Sequence, residues 1–133
     1  MNFNGEIKIR IRYGETDQMG VVHHGKYANY LEMGRIEWLR ELGTSYKKME
    51  EEGIILPVVS LKIDFKKSAY FDDVITVKTK LVKIPTVRIE FYYEIYNQNH
   101  ELLVTANTVL AFVNLNTKKP IKCPNYILDK LNV

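Results

Sequence analysis

Cysteine is almost missing from this chain. Cys123 is the only one in 133 residues, which excludes an intrachain disulfide framework and a zinc site built on thiols. Equally absent is any apolar run near the ~18 residues that a membrane span needs. The opening MNFNGEIKIR has no hydrophobic signal core, so a cytoplasmic protein is the expectation. Charge of one sign is scarce too. There are 19 Lys and Arg against 16 Asp and Glu, a net +3, with no basic stretch interleaved with aromatics as a nucleic-acid track requires. A content of 46% hydrophobic and 26% charged residues excludes a disordered chain. No linker, repeat or composition break divides the sequence, so one domain over 1–133 is expected.

Two periodicities are present. Ile7, Ile9, Ile11 and Tyr13 alternate with Lys8, Arg10 and Arg12, which predicts a half-buried strand over Glu6–Tyr13. A polar loop follows from Gly14 to Gly20. From Lys26 to Leu42 the spacing becomes three and four residues (Tyr27, Tyr30, Leu31, Gly34, Trp38, Leu39, Leu42), which predicts a long amphipathic helix. Gly43 is placed to close it, and Thr44 or Ser45 to cap a short second helix as far as Glu52. Strands are then expected at Ile54–Lys67, interrupted by Pro57, and at Val74–Lys83, Val87–Tyr96 and Glu101–Leu115. The last reads as apolar on both faces and central. A short helix is expected over Asn125–Leu131. Short turns between successive strands require antiparallel pairing. The economical architecture is α+β: about five antiparallel strands with one long helix on one face.

The loop before the long helix has a composition that packing does not explain. It carries the carboxylate of Asp17, the adjacent pair His23 and His24, and then a helix start. Unpaired backbone N–H groups and partial positive charge at such a start stabilise an anion or a carbonyl oxygen becoming one. A carboxylate a few residues earlier can serve as nucleophile or general base. The plainer reading makes Asp17 a turn acceptor. Adjacent histidines point in different directions and find no third ligand at useful spacing, so no metal is expected. Glu15 reads as a solvated loop charge. Lys66 with Lys67, Arg88, and Lys118, Lys119 and Lys122 are basic clusters, each a solvated strand end or loop unless a phosphate-bearing ligand recruits them.

The run Tyr13-Gly-Glu-Thr-Asp17-Gln-Met-Gly20-Val-Val-His-His24-Gly-Lys-Tyr27-Ala-Asn-Tyr30-Leu-Glu32-Met-Gly-Arg35-Ile-Glu37 resembles the signature of the hotdog-fold acyl-CoA thioesterases of the 4-hydroxybenzoyl-CoA thioesterase type. The similarity continues through Pro57-Val-Val-Ser60, Phe65, Tyr70-Phe-Asp-Asp73, Phe91-Tyr-Tyr-Glu-Ile95 and Ala111-Phe112. It implies a hotdog fold and hydrolysis of a small or medium acyl-CoA thioester, without a cofactor. Asp17 takes the catalytic carboxylate position, and His24 the position whose backbone N–H polarises the thioester carbonyl. Val22, His23, Gly25, Tyr27 and Ser60 fall around the substrate. Lys66, Lys67 and Arg88 are the candidates for CoA phosphates, Arg88 standing alone in a turn where some relatives carry a basic run. Sites at the interface of a homodimer, within a dimer or homotetramer, are implied as well. The alternative is a non-catalytic hotdog protein that binds acyl-CoA or another acyl carrier. Asp17 speaks against it, because a pure binder gains nothing from a carboxylate facing a thioester.

Overall fold

Where apolar residues recur at every second position the chain is extended, and where they recur at every third or fourth it is helical. The computed structural model describes residues 4–131, so the outermost ends of the expected domain, 1–3 and 132–133, lie outside the described residues. The elements run β1 (Asn4–Arg10), α1 (Lys26–Leu42), α2 (Tyr46–Glu51), β2 (Ile54–Ile55), β3 (Val58–Phe65), β4 (Val74–Leu81), β5 (Arg88–Tyr96), β6 (Leu102–Ala111), β7 (Val113–Asn114) and α3 (Asn125–Lys130). Five strands form one antiparallel sheet in the order β1-β4-β5-β6-β3, and β2 pairs with β7 beside it.

The core lies between α1 and one face of this sheet. Ile75, Val77, Thr79 and Leu81 of β4 and Ile89, Phe91, Tyr93 and Ile95 of β5 are buried, as their alternation predicts. From α1, Tyr27, Tyr30, Leu31, Gly34, Trp38 and Leu39 turn toward them. Trp38 meets Phe91 edge to face with centroids 5.0 Å apart. Each such side chain removed from water stabilises the fold by roughly 1.5–3 kcal/mol. Gly43 caps α1, the Thr44 amide donating back to the Leu39 carbonyl at 3.2 Å. Of the two capping candidates for α2 it is Ser45 that acts, its Oγ accepting the Lys48 amide at 3.1 Å.

Three expectations change. The first strand stops at Arg10, three residues early, because the Ile11 amide donates to the Asp73 carbonyl and the chain enters a 3₁₀ turn over Tyr13–Glu15. Tyr13 therefore points outward, 76% exposed, against the ring of Phe71. The expected strand Ile54–Lys67 divides at Leu56-Pro57, its first piece pairing with β7 and its second joining the main sheet. Finally, β5 is the middle strand. β6 lies between β5 and β3, buried on its inner face, while Thr105, Asn107, Val109 and Ala111 are only half-buried on the other. A register shift opposite Tyr96 lets both Leu103 and Val104 turn inward.

Candidate active site

The loop between β1 and α1 is organised by its own backbone. The Asp17 amide donates to the Val21 carbonyl at 2.8 Å, the Gly20 amide to the Asp17 carbonyl at 3.1 Å, and Thr16 bridges Val22. Gly20 takes φ +82° at this reversal, a conformation that costs glycine little and other residues more. The Asp17 carboxylate completes the turn, its Oδ1 accepting from the amides of Met19 (2.8 Å) and Val21 (3.4 Å). Both readings of Asp17 meet in one side chain. Oδ1 is a turn acceptor, while Oδ2 has no partner among the described residues and the residue is exposed.

At the start of α1 nearly every amide is taken. Val22 donates to the Ala69 carbonyl (2.9 Å), His23 to Glu15 (3.0 Å), Lys26 to His23 (2.9 Å) and Tyr27 to His24 (3.4 Å). The Gly25 amide donates to the imidazole Nδ1 of His23 at 3.0 Å. Among the described residues the His24 amide alone in this run donates to nothing. It lies at the positive end of a 17-residue helix. That is where negative charge developing on an oxygen is best stabilised.

An open cleft of about 350 Å³ joins these pieces. Asp17, Val22, His24 and Tyr27 form one wall, and Phe65, Lys66, Lys67 and Ser68 form the other. The walls touch through rings: Phe65 lies 5.4 Å from Tyr27 and 5.8 Å from His24 between centroids. Burial raises the Tyr27 phenol, the Ala69 backbone partly offsetting this and the Asp73 carboxylate adding to it, so the hydroxyl stays protonated. Lys67 is tied to Glu101, whereas Lys66 has no carboxylate partner among the described residues. A wider depression of about 640 Å³ lies elsewhere, on the outer sheet face over Lys78, Lys80, Tyr92 and Glu94. Among the described residues, no three of His, Cys, Asp or Glu are grouped to hold a metal.

Of the residues singled out in the sequence, Asp17, Val22, His24, Tyr27, Lys66 and Lys67 share this cleft. His23 and Gly25 adjoin it through the helix start. Ser60 and Arg88 do not reach it within one chain. Ser60 pairs with Val109 and Arg88 with Ala111, whereas Phe65 at the cleft pairs with Val104. At ~3.4 Å per residue, the seven steps from Val104 to Ala111 put Arg88 roughly 24 Å from the cleft end. Glu15 is not a solvated charge, for its side chain is only 12% exposed. Burial pushes its carboxyl upward, but the Arg12 amide at 2.8 Å, the facing Tyr30 hydroxyl and the Arg12 guanidinium outweigh that and hold its pKa below the ordinary value. Phe65 and Ser68 also line the cleft, although no motif marks either as a site residue. The alternation of Val59, Leu61, Ile63 and Phe65 is the signal that places Phe65 on the face with the others.

A family model described as the thioesterase-like superfamily matches residues 11–131. The chain belongs to that family. Its likeness to YneP of Bacillus subtilis is 35% identity over 115 residues, 86% of this chain and 83% of the relative. The acyl-CoA thioesterase YbgC of Haemophilus influenzae is 32% identical over 90% of this chain and 88% of its own length. The solved DHNA-CoA thioesterase of Staphylococcus aureus superposes with a TM-score of 0.91 at 39% identity, covering 97% of this chain and 87% of that one. A 4-hydroxybenzoyl CoA thioesterase, 19% identical, shares the fold at a TM-score of 0.86 over 96% of this chain and 97% of its own. This family member is thus a thioester hydrolase with the hotdog fold that the resemblance implied.

Proposed function

We propose that this thioesterase hydrolyses an acyl-CoA ester at the cleft between the Asp17 loop and the end of β3. The observation that carries the reading is the pairing, on one cleft, of a carboxylate oxygen without a partner and the one undonated amide at the start of α1. The thioester carbonyl oxygen accepts the His24 N–H, which draws electrons from the carbonyl carbon. Asp17 Oδ2 then either takes a proton from a water that attacks that carbon, or attacks it directly to give an acyl–aspartyl anhydride that water afterwards cleaves to the free acid and the restored carboxylate. The leaving thiol has an ordinary pKa of about 8.5, so it departs as thiolate with little help from an acid. Lys66 is the better phosphate candidate, since Lys67 is already engaged. Two relatives named for CoA esters, YbgC and the Staphylococcus aureus protein, favour CoA as the carrier. Such a substrate is met in the cytoplasm.

A second chain completes the site in this reading. β3 is an edge strand, and Val58, Val59, Leu61 and Phe65 are each about half exposed along it. An apolar edge of this kind invites another strand. Antiparallel self-pairing of β3 about its midpoint sets the partner's Val58 opposite Phe65 and the partner's Ser60 opposite Ile63, two residues from the cleft end, and turns the partner's Arg88 end of the sheet toward the cleft.

The test is thiol release from a panel of aliphatic and aromatic acyl-CoA esters by wild type and Asp17→Asn. Asparagine retains the Oδ1 acceptor for Met19 and Val21, so the turn survives while the reactive carboxylate oxygen is lost. Turnover is expected to fall by about 10²-fold or more, comparable to the loss of an oxyanion donor. Undiminished turnover in the variant refutes the role of Asp17. A folded wild type that cleaves no CoA ester points to a carrier-protein ester or to the non-catalytic binder.

A further inference from the structure

The imidazole of His23 touches the geometry of the site without belonging to its chemistry. Its Nδ1 accepts the Gly25 amide at 3.0 Å, two residues along the chain. This is the pattern by which Asn and Asp side chains build a turn on their own backbone, here served by an imidazole. Acceptance at Nδ1 assigns the ring proton to Nε2. The same residue is held twice more, its amide by the Glu15 carbonyl and its carbonyl by the Lys26 amide. Its ring stacks on that of His24, centroids 5.2 Å apart and planes at 17°. Position 25 also suits the arrangement, because a Cβ there would sit 3.1 Å from His23 Nδ1.

We infer that His23 is a positioning residue for the oxyanion amide: by taking the Gly25 N–H it fixes the plane of the 24–25 peptide and leaves the His24 N–H as the one donor offered to the substrate oxygen. This rests on the thioesterase reading above. Without the acceptor, Gly25 presents a second unpaired N–H, and the peptide that carries it keeps only the 3.4 Å bond from the Tyr27 amide to its carbonyl. The His24 N–H, in the preceding peptide, is then held by the Lys26 bond to the His23 carbonyl and by the ring stack, with a looser peptide on its far side. The competing roles for His23 are contact with the acyl group and ring packing, and both depend on the imidazole as a ring.

Two substitutions separate these roles. His23→Asn keeps an acceptor at two-residue reach and removes the ring, whereas His23→Phe keeps the ring and removes the acceptor. With an acyl-CoA ester that wild type turns over, kcat of His23→Phe is expected to fall at least about tenfold with KM changed less than about threefold. A misaimed donor loses less than the ~10²–10³ of a deleted one. His23→Asn is expected to retain kcat within about threefold. The opposite order, or an equal loss in both, overturns the inference. Amide hydrogen exchange at Gly25 supplies a readout that needs no substrate. Protection kept in wild type and His23→Asn and lost in His23→Phe is expected, and equal protection in all three overturns the inference. If no thioester is cleaved by wild type, the functional reading fails while the exchange measurement still decides the cap.

Discussion

Glu15 was the residue least legible in the sequence, and it makes the clearest test at this scale. Its carboxylate serves the Arg12 amide and guanidinium from within its own turn, but its third neighbour, Tyr30, comes from α1. No local pattern announces that meeting, because a helix residue fifteen positions later supplies it. The lowered folded pKa gives a definite sign. The stabilisation is fully present above the ordinary glutamate value of about 4.3 and disappears as pH falls through the lower folded value. Glu15→Gln is therefore expected to melt several degrees below wild type at pH 7, and the gap should close toward pH 3. Thermal unfolding at the two pH values measures it, and a gap that is equal at both would show the charge to be immaterial. Asp17 and His24, by contrast, were legible, since a loop carboxylate and a helix start are local features. What the sequence withheld was which amide remains free, a fact settled by acceptors on Glu15, Ala69 and His23.

Among the elements, α1 and β4 approach closely at one place. A Cβ on Gly34 would lie 2.6 Å from Thr79 Oγ1 and 3.0 Å from Val77 Cγ1, both buried in the sheet. Alanine is worth ~1 kcal/mol more than glycine inside a helix. Overpacking a well-filled core costs about 1–3 kcal/mol, and here the crowded atoms belong to a strand held on both sides by β1 and β5. At 2.6 Å something must shift, which puts the cost in the upper part of that range, so Gly34→Ala is expected to lower the urea-unfolding free energy by about 1–2 kcal/mol. In a Thr79→Ala background, which removes the clashing hydroxyl, most of that loss should vanish. A Gly34→Ala variant as stable as wild type would mean that the helix shifts freely over the sheet. The interiors of these elements could be read from period alone, as β4, β5 and α1 were. Their ends could not. β1 stops where Asp73 captures the Ile11 amide from sixty residues away, and Arg10 is paired there with Asp72.

For the whole molecule the decisive surface is the β3 edge. If it pairs with a second copy, light scattering at micromolar concentration gives at least twice the 15.6 kDa chain mass. Leu61→Lys, placing a charge in the middle of the exposed apolar row, should return the monomer mass and weaken turnover with it. A wild type of monomer mass would remove the composite site. One more consequence follows from the order of the strands in the sheet. Asn4 meets Lys80 and Arg10 meets Val74, while Phe65 waits for Val104. On a ribosome the helix bearing Tyr27, Tyr30 and Trp38 emerges long before any surface exists to cover it. The first strand idles until the fourth is made, and the two walls of the cleft come together only after most of the chain has been synthesised. Through that interval the nascent polypeptide displays the very aromatic stripe that later becomes its interior, so the stage at which it most needs shielding from its neighbours is the middle of translation.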